Sequence, residues 1–183
     1  MAKYYKDVPK EYLENLMYRR TLRLYAQKSD RHKRAFVTMC REDPVYFFIA
    51  WAFLYEPRPM IGPNGREKSK IIPFIPWAHQ IPVIQAIHAN LGHEDIGVEK
   101  SRGEGMSWII VLMAVWYWLF KPLSAVGLVS RNENAVDNPD DPDSMLWKFD
   151  RELEWLPKWL SGIKGVDYKR DLSRHLVKNL RND

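Results

Sequence analysis

Cysteine is nearly absent from this sequence, because Cys40 is the only one among 183 residues. A single thiol cannot form a disulfide within the chain, and a zinc cluster built on several cysteines is excluded. The first sixteen residues, MAKYYKDVPKEYLENL, are polar and charged and do not resemble a secretory signal. We therefore expect a cytoplasmic protein in a reducing compartment, with Cys40 as a buried thiol and not a nucleophile.

Uninterrupted apolar runs are also scarce, and only one invites comparison with a membrane span. Residues 106–120 read MSWIIVLMAVWYWLF. As a helix this run covers about 22 Å, which is less than the roughly 30 Å of a bilayer core. Lys121 and Pro122 close it. A helix that is apolar on all sides is typical of the centre of a layered α/β domain, and we favour that interpretation over a membrane helix.

The charge balance is positive, with 28 lysine and arginine residues against 23 acidic ones and a net charge of +5. Such a balance favours an anionic partner, which includes nucleotides, nucleic acids and membrane surfaces. A basic solvated surface without any partner explains the same charge, so composition does not choose among these classes.

Local signals predict helices first and then an alternation of strands and helices. Asp30 is expected to cap a helix that reaches about residue 41, and Asp43-Pro44 to start another that stops before Pro57. Short strands are predicted at residues 71–75, 96–99 and 124–130, and Leu146 to Leu160 show helical spacing. Two strands joined by the helix 106–120 form a βαβ unit, which predicts a parallel sheet.

The segment DIGVEKSRGEGMSWIIV carries the most specific chemistry of the sequence. A strand, a loop with two glycines, a hydroxyl residue and a helix follow in the order of a phosphate-binding loop. Backbone amides and the positive helix end attract phosphate, and Ser107 occupies the position of a Mg²⁺-binding hydroxyl. Met106 stands where the usual lysine is found, but Lys100 can reach the phosphates and Arg102 adds a second cation. The residues alone leave open a charged turn with no ligand.

The segment resembles the P-loop of phage large terminase subunits, in which the lysine is often displaced to the start of the motif. Three other segments resemble the same family: FIPWAHQIPVI its adenine-recognition segment, FFIAWAFLYEPR its aromatic helix, and AVGLVSRNENAVDN with SMLWKFDRELEWLPKWL the region after the P-loop. Together these segments cover most of residues 45–160. In the adenine segment, His79 takes the place of an aromatic residue and Gln80 matches the glutamine, whose amide can donate to and accept from an adenine edge.

The resemblance implies an ATP-driven motor that translocates double-stranded DNA into a procapsid in the host cytoplasm. It implies ATP and Mg²⁺ as ligands, a portal and a small terminase subunit as partners, and a homo-oligomeric ring. Lys100 and Arg102 would act catalytically by stabilising the transferred phosphoryl group, and Ser107 would bind Mg²⁺. The nucleotide would contact the following residues: His79, Gln80, Lys100, Ser101, Arg102, Gly103, Glu104, Gly105, Met106 and Ser107.

The fold that the resemblance implies is an α/β P-loop NTPase of the RecA or helicase-like type, with an incomplete parallel sheet. Residues 1–56 would be an N-terminal helical segment, and residues 57–183 the first part of the ATPase domain. An apolar strand ending in Asp-Glu does not follow Ser107, so we expect the Walker B strand and the nuclease domain to lie beyond residue 183. The fragment alone would then hydrolyse ATP poorly. Another P-loop motor of the helicase type, or a basic nucleic-acid-binding module without ATPase activity, is the alternative.

Overall fold

The computed structural model describes residues 4–62, 65–67, 69–161 and 168–179. Helices in this part of the chain are α1 Tyr12–Lys28, α2 Asp30–Glu42, α3 Pro44–Trp51, α4 Gln80–Asn90, α5 Met106–Phe120, α6 Glu133–Val136, α7 Met145–Trp155 and α8 Lys158–Ser161. Strands are β1 Phe53–Tyr55, β2 Ile71–Pro73, β3 Tyr168–Asp171 and β4 Leu176–Asn179. Single 3-10 turns cover Tyr4–Asp7 and Leu172–Arg174.

The short, wholly apolar helix α3 and the longer apolar helix α5 form the centre of the molecule. Every side chain of α3 is buried, as are nine of those in α5. Trp116 of α5 is fully buried and donates its indole N–H to the carbonyl of Cys40 at 2.7 Å, and the Cys40 thiol is itself buried. The predicted buried helix and buried thiol are therefore confirmed. Within the described ranges, no helix has the length and hydropathy needed to cross a membrane.

Helix caps explain where α2 and α3 begin. Asp43 accepts the backbone N–H of Tyr46 at 3.0 Å, and Pro44 occupies the first turn of α3, as the sequence predicts. The prediction that Asp30 caps α2 is wrong, because the cap is Ser29. The hydroxyl of Ser29 accepts the backbone N–H of His32 at 3.3 Å, while Asp30 is already helical and pairs with Lys33.

The prediction that α3 continues until just before Pro57 is wrong, because the helix ends at Trp51 and β1 begins at Phe53. β1 pairs with β2 in antiparallel register, Phe53 opposite Pro73 and Tyr55 opposite Ile71. The backbone at this junction is held by the buried guanidinium of Arg19 from α1. Its N–H groups donate to the carbonyls of Ala52 and Ile49 at 2.8 Å each. The guanidinium thus satisfies carbonyls at the end of α3, where the helix itself supplies too few donors.

The predicted mixture of helices and strands is confirmed, but a parallel sheet is not found among the described residues. Both sheets are antiparallel pairs, β1 with β2 and β3 with β4. Residues 96–99 form no strand, and residues 124–130 form none either. In the described part of the chain no backbone hydrogen bond joins residues 125–130 to another segment. An apolar sequence can favour a strand, but a strand is stable only when a second segment supplies its hydrogen-bond partners.

The chain that follows residue 130 closes over one side of α5. Helix α7 packs along α5, and the Asp137 carboxylate binds both Arg170 of β3 and His175, the latter at 2.7 Å. Buried side chains from the first 56 residues and from α4, α5 and α7 belong to one hydrophobic core. The division into 1–56 and 57–183 stays a prediction.

Candidate functional site

The loop of residues 100–105 has the backbone geometry that its two glycines allow. Gly103 has φ of 83° and Gly105 has φ of 64°, in the left-handed region where other residues are strained. Gly105 caps α5, and its carbonyl accepts the backbone N–H groups of Trp108 at 3.0 Å and Ile109 at 3.2 Å. The loop therefore turns sharply into the N-terminus of a long buried helix, in the order that the sequence predicts.

Two amide groups at this helix end lack protein acceptors. Among the described residues, the backbone N–H groups of Met106 and Ser107 form no hydrogen bond with a carbonyl or a side chain. They lie at the positive end of the dipole of a fifteen-residue helix. An anion at this position would receive hydrogen bonds that the fold itself does not provide.

The cations of the loop face the solvent. Lys100 and Arg102 are exposed, and within the described ranges neither forms an ion pair with an acidic residue. Ser101, Gly103 and Ser107 are also exposed, whereas Glu104 and Met106 are half-buried. Glu99 and Glu104 balance the charge of the two cations over residues 99–107, so the feature that favours an anion is the exposure of these cations next to free amides.

Glu104 links the loop to the start of α4. Its carboxylate contacts the His79 ring nitrogen Nε2 at 2.9 Å and accepts the hydroxyl of Ser101 at 3.0 Å. These bonds, from His79 first and then Ser101, lower the pKa of Glu104 below its usual value. Sequence analysis placed Glu104 only among the nucleotide contacts, and the folded loop shows that its carboxylate also joins Ser101 to His79.

Gln80 is the second link between α4 and the loop. Its side chain is buried, its Nε2 donates to the Glu104 carbonyl at 2.8 Å, and its Oε1 accepts the Trp77 backbone N–H at 2.8 Å. A Cβ on Gly105 would lie 3.6 Å from Nε2, which is an ordinary van der Waals contact, so it is the positive φ of residue 105 and not a lack of space that favours glycine here. The structure thus brings the two residues of the predicted adenine segment against the predicted phosphate loop, with the Gln80 amide bound to protein groups.

Trp77 is a neighbouring aromatic residue that sequence reasoning missed. Its side chain is 54% exposed, and its ring centroid lies 5.5 Å from that of His79. Its exposure appears only in the folded chain, and an exposed indole is unusual because tryptophans are usually well buried.

A cavity of about 320 Å³ is lined in part by Ser107. It is lined mainly by polar side chains from α5 and from the segment after residue 129. Its lining residues are Ser107, Ser130, Arg131, Asn132, Asn134, Ala135, Asp141, Asp143 and Met145. The cavity thus lies between the first turn of α5 and Arg131, which is exposed and follows the extended residues 124–130.

The oxygen groups of this cavity suit a hard cation such as Mg²⁺, which takes hydroxyl, carboxylate and phosphate oxygens. Ser107 offers a hydroxyl, and Asp141 and Asp143 offer carboxylates. In the part of the chain that the structure describes, no cluster of three or more His, Cys, Asp or Glu residues could hold a metal ion by itself. A cation here would accordingly need oxygen ligands from a bound phosphate.

The contacts of Gln80 lead to a stability prediction. Replacing Gln80 with leucine leaves the Glu104 carbonyl and the Trp77 N–H without their partner, so we expect a loss of about 1–3 kcal/mol of unfolding free energy. Urea denaturation measures this loss, and hydrogen exchange should become faster at the amide of Trp77, which donates to Gln80, and at those of Trp108 and Ile109, which donate to Gly105 of the loop. Gln85→Leu on the same helix is the control, because Gln85 makes only one long bond, of 3.5 Å, to Tyr5. Equal losses of unfolding free energy in the two variants would contradict a specific role of Gln80 in holding the loop.

Comparison with protein-family models, with curated protein sequences and with solved structures gives no match to this chain.

Proposed function

We propose that this chain is the ATP-binding part of a viral DNA-packaging motor of the large terminase type. The observation that carries the proposal is the loop of residues 100–107: two glycines with positive φ turn the backbone into α5, two amides lack acceptors, and two cations are exposed beside them. This combination suits the triphosphate of a nucleotide, because the free amides of the helix N-terminus and the two exposed cations can bind phosphate oxygens together.

In the proposed complex the phosphates lie at the N-terminus of α5. The N–H groups of Met106 and Ser107 donate to phosphate oxygens, while Lys100 and Arg102 balance their negative charge. Ser107 and the phosphates hold Mg²⁺, which supplies Lewis-acid stabilisation of phosphate charge when bound. The two cations lower the energy of the transition state through electrostatic placement and form no covalent intermediate.

The base of the nucleotide is assigned to the His79 side of the loop. The exposed ring of Trp77 offers a stacking surface next to His79. Gln80 still has one amide hydrogen and one acceptor lone pair beyond its two protein contacts. Ser101, Gly103, Glu104 and Gly105 would form the wall between the base and the phosphates.

The remaining features of a packaging motor belong to the same proposal. The extended segment 124–130 would become a strand of the parallel P-loop sheet once a neighbouring strand pairs with it, and Arg131 at its end would contact phosphate of the nucleotide or of DNA. The net charge of +5 is compatible with double-stranded DNA as the polymer that is moved. A ring of copies, a portal and a small terminase subunit in the host cytoplasm complete the proposed machine.

The direct test is nucleotide binding by Lys100→Ala and Arg102→Ala variants of this chain. Each substitution removes a charge-assisted phosphate contact worth about 1.5–3 kcal/mol, so we expect ATP affinity to fall about tenfold or more. Calorimetric titration with Mg²⁺-ATP measures the change. Lys70→Ala is the matched control, because Lys70 is exposed and lies outside the loop. Unchanged affinity in both loop variants, or no ATP binding by the wild-type chain, would refute the proposal.

A further inference from the structure

Helix α1 has two seams of residues that run along opposite sides. Asn15, Arg19, Leu22 and Ala26 are buried against the rest of the protein. Leu13, Met17, Arg20, Leu24 and Gln27 face the solvent. Both sets advance by alternating steps of four and three residues, the spacing of side chains that meet a neighbouring helix. Packing against the rest of the protein explains the residues of the inner seam, but it gives no reason for the apolar residues of the outer seam.

The outer seam is unusually apolar for an exposed surface. Leu13 is 63% exposed, Met17 70% and Leu24 52%, and Tyr25 beside them is 44% exposed. The five seam positions extend over about 21 Å of helix, or nearly four turns. Single exposed apolar residues are common, but a row of them at heptad spacing is typical of a helix-binding surface.

The charges around this seam are mostly positive. Arg20 lies within it, and Arg23 and Lys28 lie beside its C-terminal half, all three exposed. Glu14 is the acidic side chain beside its N-terminal half. A partner whose flanking side chains are acidic would therefore gain both apolar burial and favourable electrostatics.

The same charges argue against self-association through this face. A parallel pair of α1 helices in register places Arg20 opposite Arg20, and an antiparallel pair centred on the seam does the same. Two guanidinium groups without a counter-ion in a dry contact repel each other and lose hydration. The seam therefore suits a partner of opposite charge better than a second copy.

We propose that the outer seam of α1 binds an acidic amphipathic helix of another protein. The apolar positions of that helix pack between Leu13, Met17 and Leu24, and its glutamate or aspartate side chains pair with Arg20, Arg23 and Lys28. This surface is independent of the nucleotide site, since none of its residues lies in the loop 100–107.

The probe is a synthetic peptide of three heptads with leucine in its seam and glutamate on both flanks, titrated against the full chain. We expect micromolar binding that weakens as salt is raised, and no binding of the same peptide with lysine in place of glutamate. The double variant Met17→Glu, Leu24→Glu should weaken binding at least tenfold. Val129→Ser is the control, because Val129 is 87% exposed and lies outside α1. Thermal unfolding checks that every variant is folded.

Charge reversal provides a second readout. Arg20→Glu should weaken binding of the glutamate peptide and raise affinity for the lysine peptide, an exchange that a damaged fold cannot produce. The proposal is overturned if the glutamate peptide does not bind, or if the Met17 and Leu24 substitutions leave its affinity unchanged. It is also overturned if these substitutions instead abolish dimerisation in sedimentation or binding to anionic lipid vesicles. Mg²⁺-ATP affinity should be the same in all of these variants, which separates this proposal from the nucleotide site.

Discussion

Replacing Arg19 with methionine is expected to reduce the free energy of unfolding by about 3 kcal/mol, because several buried hydrogen bonds to a charged group, worth about 1.5–3 kcal/mol each, are lost together. The Arg19 side chain is buried, and four of its hydrogen bonds lie between 2.7 and 3.2 Å. They reach the Asn15 side chain and the carbonyls of Phe48, Ile49 and Ala52. Methionine fills a similar space but removes a charged donor from all four acceptors. The Asn15 side-chain oxygen then has no donor among the described residues. The three carbonyls each keep one weaker, neutral donor: the N–H of Ala52 for Phe48, the Asn15 amide for Ile49 and the N–H of Phe74 for Ala52.

The position of the acceptors explains why the effect should be large. Phe48 and Ile49 belong to the last turn of α3. The Phe48 carbonyl accepts the N–H of the C-cap residue Ala52, whereas the Ile49 carbonyl has no backbone donor from the helix, and a cation there also offsets the negative end of the helix dipole. Burial lowers the pKa of Arg19 to about 9, so the guanidinium is still charged at neutral pH. One side chain thus connects α1 to the end of α3 and the start of β1.

Urea denaturation of the wild type and Arg19→Met measures this effect. Arg20→Met is the matched control, because Arg20 is the next residue on α1 and is exposed. We expect it to change stability by less than about 0.5 kcal/mol. A loss below about 1 kcal/mol in Arg19→Met, the size of one ordinary hydrogen bond, would show that the network is not structurally important.

The second large effect concerns Glu152 of α7 and the dependence of stability on pH. Glu152 is completely buried, with one oxygen accepting the Phe53 backbone N–H at 3.0 Å and the other without a partner among the described residues. Burial raises the pKa of Glu152 to about 8, although the Phe53 N–H and the charge of Arg19 act in the opposite direction. The native protein therefore binds a proton that the unfolded chain releases at lower pH.

The direction of the pH dependence follows from the difference between the pKa of Glu152 in the folded protein and in the unfolded chain. The contribution of protonated Glu152 to stability is fully present below the unfolded pKa of about 4.5 and is lost as the pH rises through about 8. We expect Glu152→Gln to remove this component, so that the stability of the variant relative to wild type improves by about 2 kcal/mol between pH 5 and pH 7. Denaturation curves at several pH values measure the difference.

Glu154→Gln serves as the control for Glu152→Gln. Glu154 lies on the same helix, where its carboxylate is about half exposed and pairs with Arg151. Its removal should leave the pH dependence nearly unchanged, because an exposed ion pair contributes little. Parallel pH profiles for wild type and Glu152→Gln would mean that Glu152 does not hold a proton in the folded state.

The loop of residues 100–107 could be predicted from the sequence because its signals are local. Two glycines, a following hydroxyl residue and an apolar run specify a tight turn into a helix whatever the rest of the chain does. The contact of this loop with His79 and Gln80 was expected only from the resemblance to terminases. The roles of Glu104 and Trp77 required the structure, because a hydrogen bond between segments about 25 residues apart leaves no periodic pattern in the sequence.

The sequence by itself determined the elements whose causes lie within a few residues. These include the start of α3 at Asp43-Pro44, the extent of α5, and the burial of Cys40. The tertiary structure decided the elements that need a distant partner. Arg19 sets where α3 ends, β2 makes residues 53–55 a strand, and residues 124–130 stay unpaired although their composition favours a strand. The physical reason is that a helix satisfies its backbone hydrogen bonds internally, whereas strands and helix ends depend on groups supplied by other parts of the fold.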